Sequence, residues 1–263
     1  MSKIFHICTL ANNLSQYKSM KNSFLAAGFD EHRCRYTIFD NANSNAYEPY
    51  SAFNAASSET EETYLIFCHQ DILIDQGHDI NQLLKVLDEL SKNEPNWAIA
   101  GNAGGTDTLK LVRRITDPYG SNTVGHIPRR VQSLDENFLV VNTRASLRCS
   151  SHLSGFHLHG TDLCLDAITK GFTCHVVDFH LTHLSPGNAN QDFENAITSL
   201  QEVWNNKFKF CYVKTSCGEL FLSKYDFLRK IFGSKKMINW VVNHPRFYTA
   251  FVFLRRRYQG KGM

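Results

Sequence analysis

Short β-rich runs alternate with stretches of helical spacing along the first hundred residues. Residues 3–9, 34–39, 64–68 and 97–100 each predict a strand. Helical spacing is carried by two sets of apolar residues, Tyr17, Met20, Phe24 and Ala27, and Ile80, Leu83, Leu84, Leu87 and Leu90. Residues 64–68 are apolar without a break, which is typical of a strand buried on both faces of a parallel sheet. The alternation predicts an α/β fold with a mostly parallel sheet flanked by helices.

The same alternation continues through the next hundred residues. Residues 133–141 and 172–179 predict two more strands, and a helix is predicted from Thr161-Asp162 to Lys170-Gly171. A further amphipathic helix is marked by Phe193, Ile197, Leu200 and Trp204. No Pro- or Ser-rich linker divides the chain. We therefore predict one main α/β domain over residues 1–210 and a helical extension over residues 211–263.

The extension combines aromatic and basic residues. Its predicted helices are built on two apolar sets, Leu220, Phe221, Phe227, Leu228, Ile231 and Phe232, and Trp240, Val241, Phe247, Phe251 and Leu254. Arg255, Arg256 and Arg257 follow directly. This pattern indicates peripheral contact with an anionic membrane surface. The other interpretation, a helical subdomain packed on the main domain or on a second subunit, stays open and is slightly favoured, because apolar helix faces usually bury in protein.

Composition narrows the class of protein. With 43% hydrophobic and 20% charged residues, the chain can bury a full core. Its formal charge of +3 gives no reason to expect a nucleic-acid partner. The eight cysteines form no CxxC pair, and no apolar run reaches the roughly 18 residues that span a bilayer. We expect a cytoplasmic protein, at the inner face of the membrane if the extension binds lipid.

Polar residues follow several of the predicted strands. Asp40-Asn41, His69-Gln70-Asp71 and Gly101 each stand at a strand end, and His183 ends the strand region after residue 179. Ligands of open α/β sheets bind beyond the carboxyl ends of the strands, so Asp40, Asp71 and Gly101 are expected at one edge. There the Asp71 carboxylate can hold Mg²⁺ or Mn²⁺, while His69 and Gln70 orient it or reach phosphates.

Two further residues are candidates for chemistry. Asp162 opens a predicted helix, where a rigidly held carboxylate can take a proton from a hydroxyl group. His183 can ligate a metal ion through a neutral ring nitrogen. Each candidate also has a structural interpretation, since Asp71 and Asp40-Asn41 suit turns, Asp162 suits a helix cap and His183 is one of twelve histidines.

Several well-known motifs are absent from the sequence. Gly101, Gly104 and Gly105 form a glycine loop but do not match the dinucleotide pattern GxGxxG, so NAD binding is not expected. There is also no GxSxG elbow and no GxxxxGK[ST] loop. These absences count against common dehydrogenases, serine hydrolases and nucleoside triphosphatases.

An ordered set of motifs carries a family resemblance over about residues 3–205. The set consists of Asp40-Asn41, Asn54, residues 64–72 (YLIFCHQDI), residues 97–104, residues 134–138 (LDENF), residues 155–163 (GFHLHGTDL) and His183. It resembles a glycosyltransferase-like family with an HQD hallmark, related to family-two glycosyltransferases and described through a streptomycin-biosynthesis-associated domain. The resemblance implies a GT-A-like fold, the fold of nucleotide-diphospho-sugar transferases.

The resemblance also implies roles for particular residues. Asp71 would replace the second acid of the usual DxD element, and Asp40 would face the nucleoside. Asp162 would be the base on the acceptor side, and His183 a metal ligand. One departure is that His69 stands where DxD has its first acid, which implies weaker metal affinity or a cation that depends on the donor diphosphate.

The predicted function is a metal-dependent, inverting transfer of a sugar from a nucleotide-sugar donor to a carbohydrate or lipid-linked saccharide acceptor. Surface polysaccharide or lipopolysaccharide assembly is the expected setting. Two alternatives are a non-catalytic nucleotide-sugar-binding or assembly protein with the same fold, and an enzyme that modifies sugar nucleotides without an acceptor.

Overall fold

Two sheets and the helices around them make up most of the chain. The computed structural model describes residues 3–186, 190–244, 246–249 and 252. The strands are β1 (Phe5–Ala11), β2 (Cys34–Asp40), β3 (Tyr64–His69), β4 (Ile72–Ile74), β5 (Trp97–Gly101), β6 (Ala103–Gly105), β7 (Leu111–Asp117), β8 (Gly120–Val124), β9 (Arg129–Val131), β10 (Ser133–Leu134), β11 (Phe138–Asn142), β12 (Thr173–Val176), β13 (Leu181–His183), β14 (Cys211–Lys214) and β15 (Glu219–Leu222). The α-helices are α1 (Leu14–Ala26), α2 (Pro49–Glu59), α3 (Ile80–Asn93), α4 (His159–Thr169), α5 (Gln191–Trp204), α6 (Asp226–Phe232) and α7 (Lys235–Asn243).

The larger sheet has seven strands in the order β2-β1-β3-β11-β5-β12-β9. β1 pairs in parallel with β2 and β3, and β12 pairs in parallel with β5. β11 runs antiparallel between β3 and β5, and β9 runs antiparallel at the edge. Five of the seven strands therefore share one direction, and the predicted mostly parallel sheet is confirmed.

Helices cover both faces of this sheet. Met20 of α1 and Leu83 of α3 pack in one apolar cluster, together with Ile66 of β3. Phe53 of α2 and Leu163 of α4 belong to the cluster on the other face. Burying each of these side chains contributes about 1.5–3 kcal/mol. The continuous apolar run in β3 follows from this arrangement, since both of its faces are covered.

A smaller sheet places a second strand end beside the first. Its order is β10-β6-β7-β13-β4, with β8 on β7. β4 begins directly after Asp71, and β13 runs antiparallel to it with His183 opposite Ile72. This pairing fixes His183 next to the end of β3, although the two segments are far apart in sequence.

The extension begins with a hairpin, which the sequence analysis did not predict. Leu220 and Phe221 were expected in a helix, but they lie in β15, paired with β14. The reason is alternation: Leu220 packs into the core of the main domain, whereas Phe221 points to the opposite side. Helices α6 and α7 follow, as expected. The division at residue 210 stays a prediction, and Phe251, Leu254 and Arg255 to Arg257 lie outside the described residues.

Within the described part of the chain, no helix combines the length and the apolar character needed to cross a membrane.

Candidate active site

Three side chains meet where β3 ends. The His69 Nδ1 atom lies 3.4 Å from His183 Nε2 and 3.8 Å from Asp71 Oδ1. His183 Nε2 is 3.4 Å from the same Asp71 oxygen. Within the described part of the chain, these three side chains form a group with the spacing of metal ligands. The cluster combines two predicted metal ligands, Asp71 and His183, with His69.

Backbone pairing holds these side chains in place. The His69 amide donates to the carbonyl of Asn137, 3.0 Å away, which ties the end of β3 to the turn before β11. The Leu184 amide donates to the carbonyl of Asp71 at 2.9 Å, which ties the end of β13 to the turn after β3. The cluster therefore sits on two sheets at once, and its geometry is set by rigid elements rather than by a loose loop.

The surroundings of Asp71 keep it ionised. Burial opposes the charge, but hydrogen bonds from His183 and Ser185 outweigh burial and hold the pKa of Asp71 well below its usual range. The Ser185 hydroxyl donates to the second oxygen of the carboxylate at 2.5 Å. Ser185 was not predicted from the sequence. A signal was present, because residues two apart in an extended segment share a face, and Ser185 follows His183 by two.

The pKa values of the two histidines are shifted in opposite directions. Burial lowers the pKa of His69, and the neighbouring His183 lowers it further. Burial also acts against a charge on His183, but the hydrogen bond to Asp71 raises the pKa of His183 above its ordinary value. Burial thus favours the neutral form of His69, which can offer a lone pair, whereas the contact with Asp71 favours the charged form of His183, a charge that a cation can replace.

The cluster fits a divalent metal ion. Adjacent ligands about 2.1 Å from one ion lie roughly 3.0 Å apart in octahedral and roughly 3.4 Å apart in tetrahedral coordination. The observed separations of 3.4–3.8 Å need only a small contraction to reach that geometry. The donors are two imidazole nitrogens and a carboxylate oxygen. Such a mixed set suits Mn²⁺ better than Mg²⁺, which takes mainly oxygen ligands.

Two cavities meet at this cluster. The donor-side cavity, of about 240 Å³, lies beyond the ends of β1 and β2 and is lined in part by Asn12, Asn41, Gln70 and Asp71. The acidic cavity, of about 390 Å³, lies on the other side and is lined in part by Arg113, Tyr119, Asp135, Glu136 and His183. His69 and Phe156 line both. A ligand that extends through both cavities therefore passes the metal cluster.

Two predicted residues lie in the donor-side cavity with their side chains already engaged. Gln70 accepts a hydrogen bond from the Asn13 amide and donates one to Asn12 Oδ1. Asn41 donates to the carbonyl of Tyr47 and accepts from the Tyr47 amide, which closes the loop after β2. Both shape the cavity wall, and neither belongs to the metal cluster.

Two other predicted residues make local contacts away from the metal cluster. The exposed Asp40 carboxylate accepts a hydrogen bond from the Ala42 amide at 2.8 Å, the turn arrangement that the sequence also allowed. Gly101 lies within the buried strand β5, where a Cβ atom would come within 2.9 Å of the Phe138 carbonyl oxygen. Its role is close packing of strands. Neither residue is among the described residues lining the two cavities.

Asp162 is also separated from the cluster. It is fully buried, and its carboxylate accepts hydrogen bonds of 2.7 Å from the Ser150 amide, the Ser150 hydroxyl and the Trp204 indole N–H. Burial raises the pKa of Asp162, while these hydrogen bonds act in the opposite direction. It is absent from the described lining of both cavities. Three donors thus anchor this buried carboxylate in the structure, and its role as a base stays a prediction.

Comparison of the chain with known proteins gives one related sequence and several related folds. No family model matches the chain, so the streptomycin-associated type and the HQD hallmark stay predictions. A protein of Fuscovulum blasticum described as ATP synthase subunits region ORF 6 is 29% identical over 213 residues, or 78% of this chain and 85% of that protein. That description gives no activity.

Solved structures of two glycosyltransferases resemble the chain in fold. Residues 1–349 of S. aureus TarS, solved with UDP-GlcNAc, match with a TM-score of 0.50 at 10% identity over 76% of this chain and 66% of that one. GalNAc-T7, solved with UDP, GalNAc and Mn²⁺, matches with a TM-score of 0.52 at 9% identity over 79% of this chain and 49% of that one. The chain thus spans about two thirds of the TarS fragment and about half of GalNAc-T7. These likenesses confirm the GT-A-like fold.

Proposed function

We propose that this protein is a metal-dependent, inverting glycosyltransferase that moves a sugar from a nucleotide-sugar donor to a carbohydrate hydroxyl. The observation that carries the proposal is the His69, Asp71 and His183 cluster, which lies at a strand end of a GT-A-like fold and between two cavities. A donor needs one cavity, an acceptor needs the other, and the leaving diphosphate needs positive charge at the junction.

The donor-side cavity supports a nucleoside ligand. Its polar wall is made of the amide side chains of Asn12, Asn41 and Gln70, which can hydrogen-bond a base or a ribose without adding charge. The TarS structure was solved with UDP-GlcNAc and the GalNAc-T7 structure with UDP and GalNAc, which favours a uridine donor as the first to test.

Mn²⁺ is the cation we propose, held by His69, Asp71 and His183. When bound, it neutralises charge that develops on the departing diphosphate. The missing first acid of the DxD element does not leave the site short of ligands, because both histidines supply nitrogen donors. The GalNAc-T7 structure was solved with Mn²⁺.

The acidic cavity supports a sugar acceptor. Phe156 is 46% exposed and Tyr119 is 81% exposed, so both rings are available for stacking on the apolar face of a sugar. Asp135 and Glu136 provide carboxylates for hydroxyl groups. These residues suit a carbohydrate acceptor or a lipid-linked saccharide of the kind used in surface polysaccharide assembly.

A titration of nucleoside diphosphates tests the donor assignment. We expect UDP, from a panel with GDP, dTDP and CDP, to bind in the presence of Mn²⁺ and at least about tenfold more weakly without it, because the cation links diphosphate to protein. Isothermal calorimetry measures both affinities, with Ca²⁺ as the control cation. Absence of binding by every nucleotide would contradict the proposal.

A measurement of turnover of the nucleotide sugar distinguishes the proposed transferase from the two alternative functions. Hydrolysis of the bound nucleotide sugar that depends on Mn²⁺ supports a transferase, with water in place of the acceptor. Tight binding without hydrolysis supports the non-catalytic binding protein. A changed sugar that stays attached to its nucleotide supports the sugar-nucleotide-modifying enzyme.

The two C-terminal helices support contact with an anionic membrane. Phe227 and Ile231 of α6 and Trp240 of α7 are between 49% and 61% exposed, and Phe247 is 70% exposed. Exposed cations lie among them at Lys224, Lys230, Lys235, Lys236 and Arg246. Aromatic rings together with Lys and Arg are the composition of helices that lie at a lipid surface. This contact would bring the protein to lipid-linked acceptors at the inner face of the membrane.

Vesicle pelleting tests the membrane contact. We expect the full chain to pellet with phosphatidylglycerol vesicles and to be released by salt, since each nearby Lys or Arg contributes about 1 kcal/mol at an anionic surface. Replacing both Phe227 and Trp240 by Glu should remove most of the pelleted fraction. The matched control is Leu25→Glu, an exposed apolar residue of α1, which should leave pelleting unchanged. Equal pelleting of both variants would contradict the contact.

A further inference from the structure

The turn between β10 and β11 carries a glutamate into the acidic cavity. Because the His69 amide donates to the Asn137 carbonyl and Phe138 pairs with Cys68, residues 135–137 lie at the same sheet end as the metal cluster. Asp135 and Glu136 both line the cavity, together with His69 and His183. Glu136 therefore faces the same space that we assign to the acceptor.

The two carboxylates of this turn are held differently. Asp135 Oδ1 accepts from the backbone and side-chain nitrogens of Asn137, at 3.2 and 2.6 Å, so it stabilises the turn itself. Glu136 instead lies against the start of α4, where the backbone N–H groups of Glu136 itself, Gly160 and Leu158 favour its charged form. A helix start is a favourable place for a carboxylate, and the contact fixes its direction.

Gly160 makes room for this arrangement. A Cβ atom at position 160 would come within 2.7 Å of the Leu134 carbonyl oxygen and within 3.5 Å of Glu136 Cγ. A side chain at position 160 would therefore clash with the Leu134 carbonyl, and the glycine leaves Glu136 in ordinary van der Waals contact with the helix start. The carboxylate at the helix start is thus supplied by Glu136 from the neighbouring turn.

The protonation of Glu136 suits proton transfer. Burial and the charge of Asp135 raise the pKa of Glu136 to about 8, and the backbone N–H groups act against this rise. A group that exchanges its proton near neutral pH is the most effective general base. The other titratable groups that face Glu136 are Asp135 on its own turn, Tyr50 in α2, Cys164 in α4 and Cys217 in the hairpin loop.

We infer that Glu136 is the general base that takes the proton from the acceptor hydroxyl, an assignment that rests on the proposed function. The Glu136 carboxylate accepts the hydroxyl proton while the acceptor oxygen forms a bond to the anomeric carbon. The bond from that carbon to the diphosphate oxygen breaks, and the diphosphate leaves with its electron pair. Asp162, which is walled off by Ser150 and Trp204, takes no part.

Hydrolysis of UDP-GlcNAc and UDP-GalNAc tests the assignment, because water then stands in for the acceptor. We expect Glu136→Gln to lower kcat by about 100-fold or more while leaving KM and the affinity for UDP with Mn²⁺ within about twofold. Wild-type kcat should rise with pH between about 7 and 9 as Glu136 loses its proton, and the variant should lack this rise. Glu136→Asp should keep a pH-dependent rise at reduced kcat. Glu202→Gln, an exposed glutamate of α5, is the matched control.

The outcomes distinguish a failure of the proposed function from a failure of the assignment to Glu136. Absence of binding by every nucleotide of the panel, UDP included, would overturn the proposed function and this assignment together. Intact binding with near-normal hydrolysis by Glu136→Gln, or the same pH rise in that variant, would overturn only the assignment to Glu136. A wild type that binds UDP with Mn²⁺ but hydrolyses neither donor at any pH would favour the non-catalytic binding protein and overturn both.

Discussion

Replacing Asp71 by alanine is expected to abolish Mn²⁺-dependent binding of UDP and all transfer with it. Asp71 is the one carboxylate of the cluster, and hydrogen bonds from Ser185 and His183 hold it as an anion. Removing a residue that hydrogen-bonds to a metal ligand weakens metal binding by about 10- to 100-fold. Removing the ligand itself should therefore weaken metal binding by more than about 100-fold. Calorimetric titration of Mn²⁺ and UDP measures the change.

The matched control for this variant is Asp40→Ala. Asp40 is another aspartate at a strand end, but its carboxylate accepts only the Ala42 amide in an exposed turn, so we expect UDP affinity to change less than about twofold. The comparison also tests the prediction from the sequence that Asp40 faces the nucleoside. Equal losses in both variants would contradict the metal assignment to Asp71, and a loss in Asp40→Ala alone would restore the sequence prediction.

Replacing Asp162 by asparagine is expected to destabilise the protein and to spare the chemistry. Three donors, two from Ser150 and one from Trp204, point at this buried carboxylate. An amide NH₂ would face at least one of them, and a buried donor left without an acceptor costs about 1–3 kcal/mol. For a chain of this size that corresponds to a fall in Tm of roughly 2–12 °C, measured by calorimetry or circular dichroism.

Asp166→Asn is the control on the same helix. Asp166 forms an i,i+4 pair with Lys170 at 2.7 Å and remains partly exposed, so its loss should cost about 1 kcal/mol or less. Well below its Tm, Asp162→Asn should still bind UDP with Mn²⁺ and hydrolyse the donor. An unchanged Tm with complete loss of turnover would support the base role that the sequence implied and would exclude our assignment to Glu136.

The fold was largely readable from the sequence because it depends on local periodicity. The unbroken apolar run of β3 and the amphipathic spacing of α3 each indicate an element together with its buried face. The hairpin β14–β15 was missed for the same reason. Its strands have only four residues each, and an apolar pair such as Leu220-Phe221 is compatible with either a helix or a strand.

The sequence by itself determined the α/β architecture and the strand end at His69-Gln70-Asp71. Only the tertiary structure decided which distant residues join that strand end, since His183 is 114 positions from His69 and reaches it through the pairing of β13 with β4. It also placed Asp162 behind Ser150 and Trp204 and turned Glu136 into the acidic cavity. The physical reason is that local pattern sets the type and burial of an element, whereas strand register and packing set the space into which each polar side chain points.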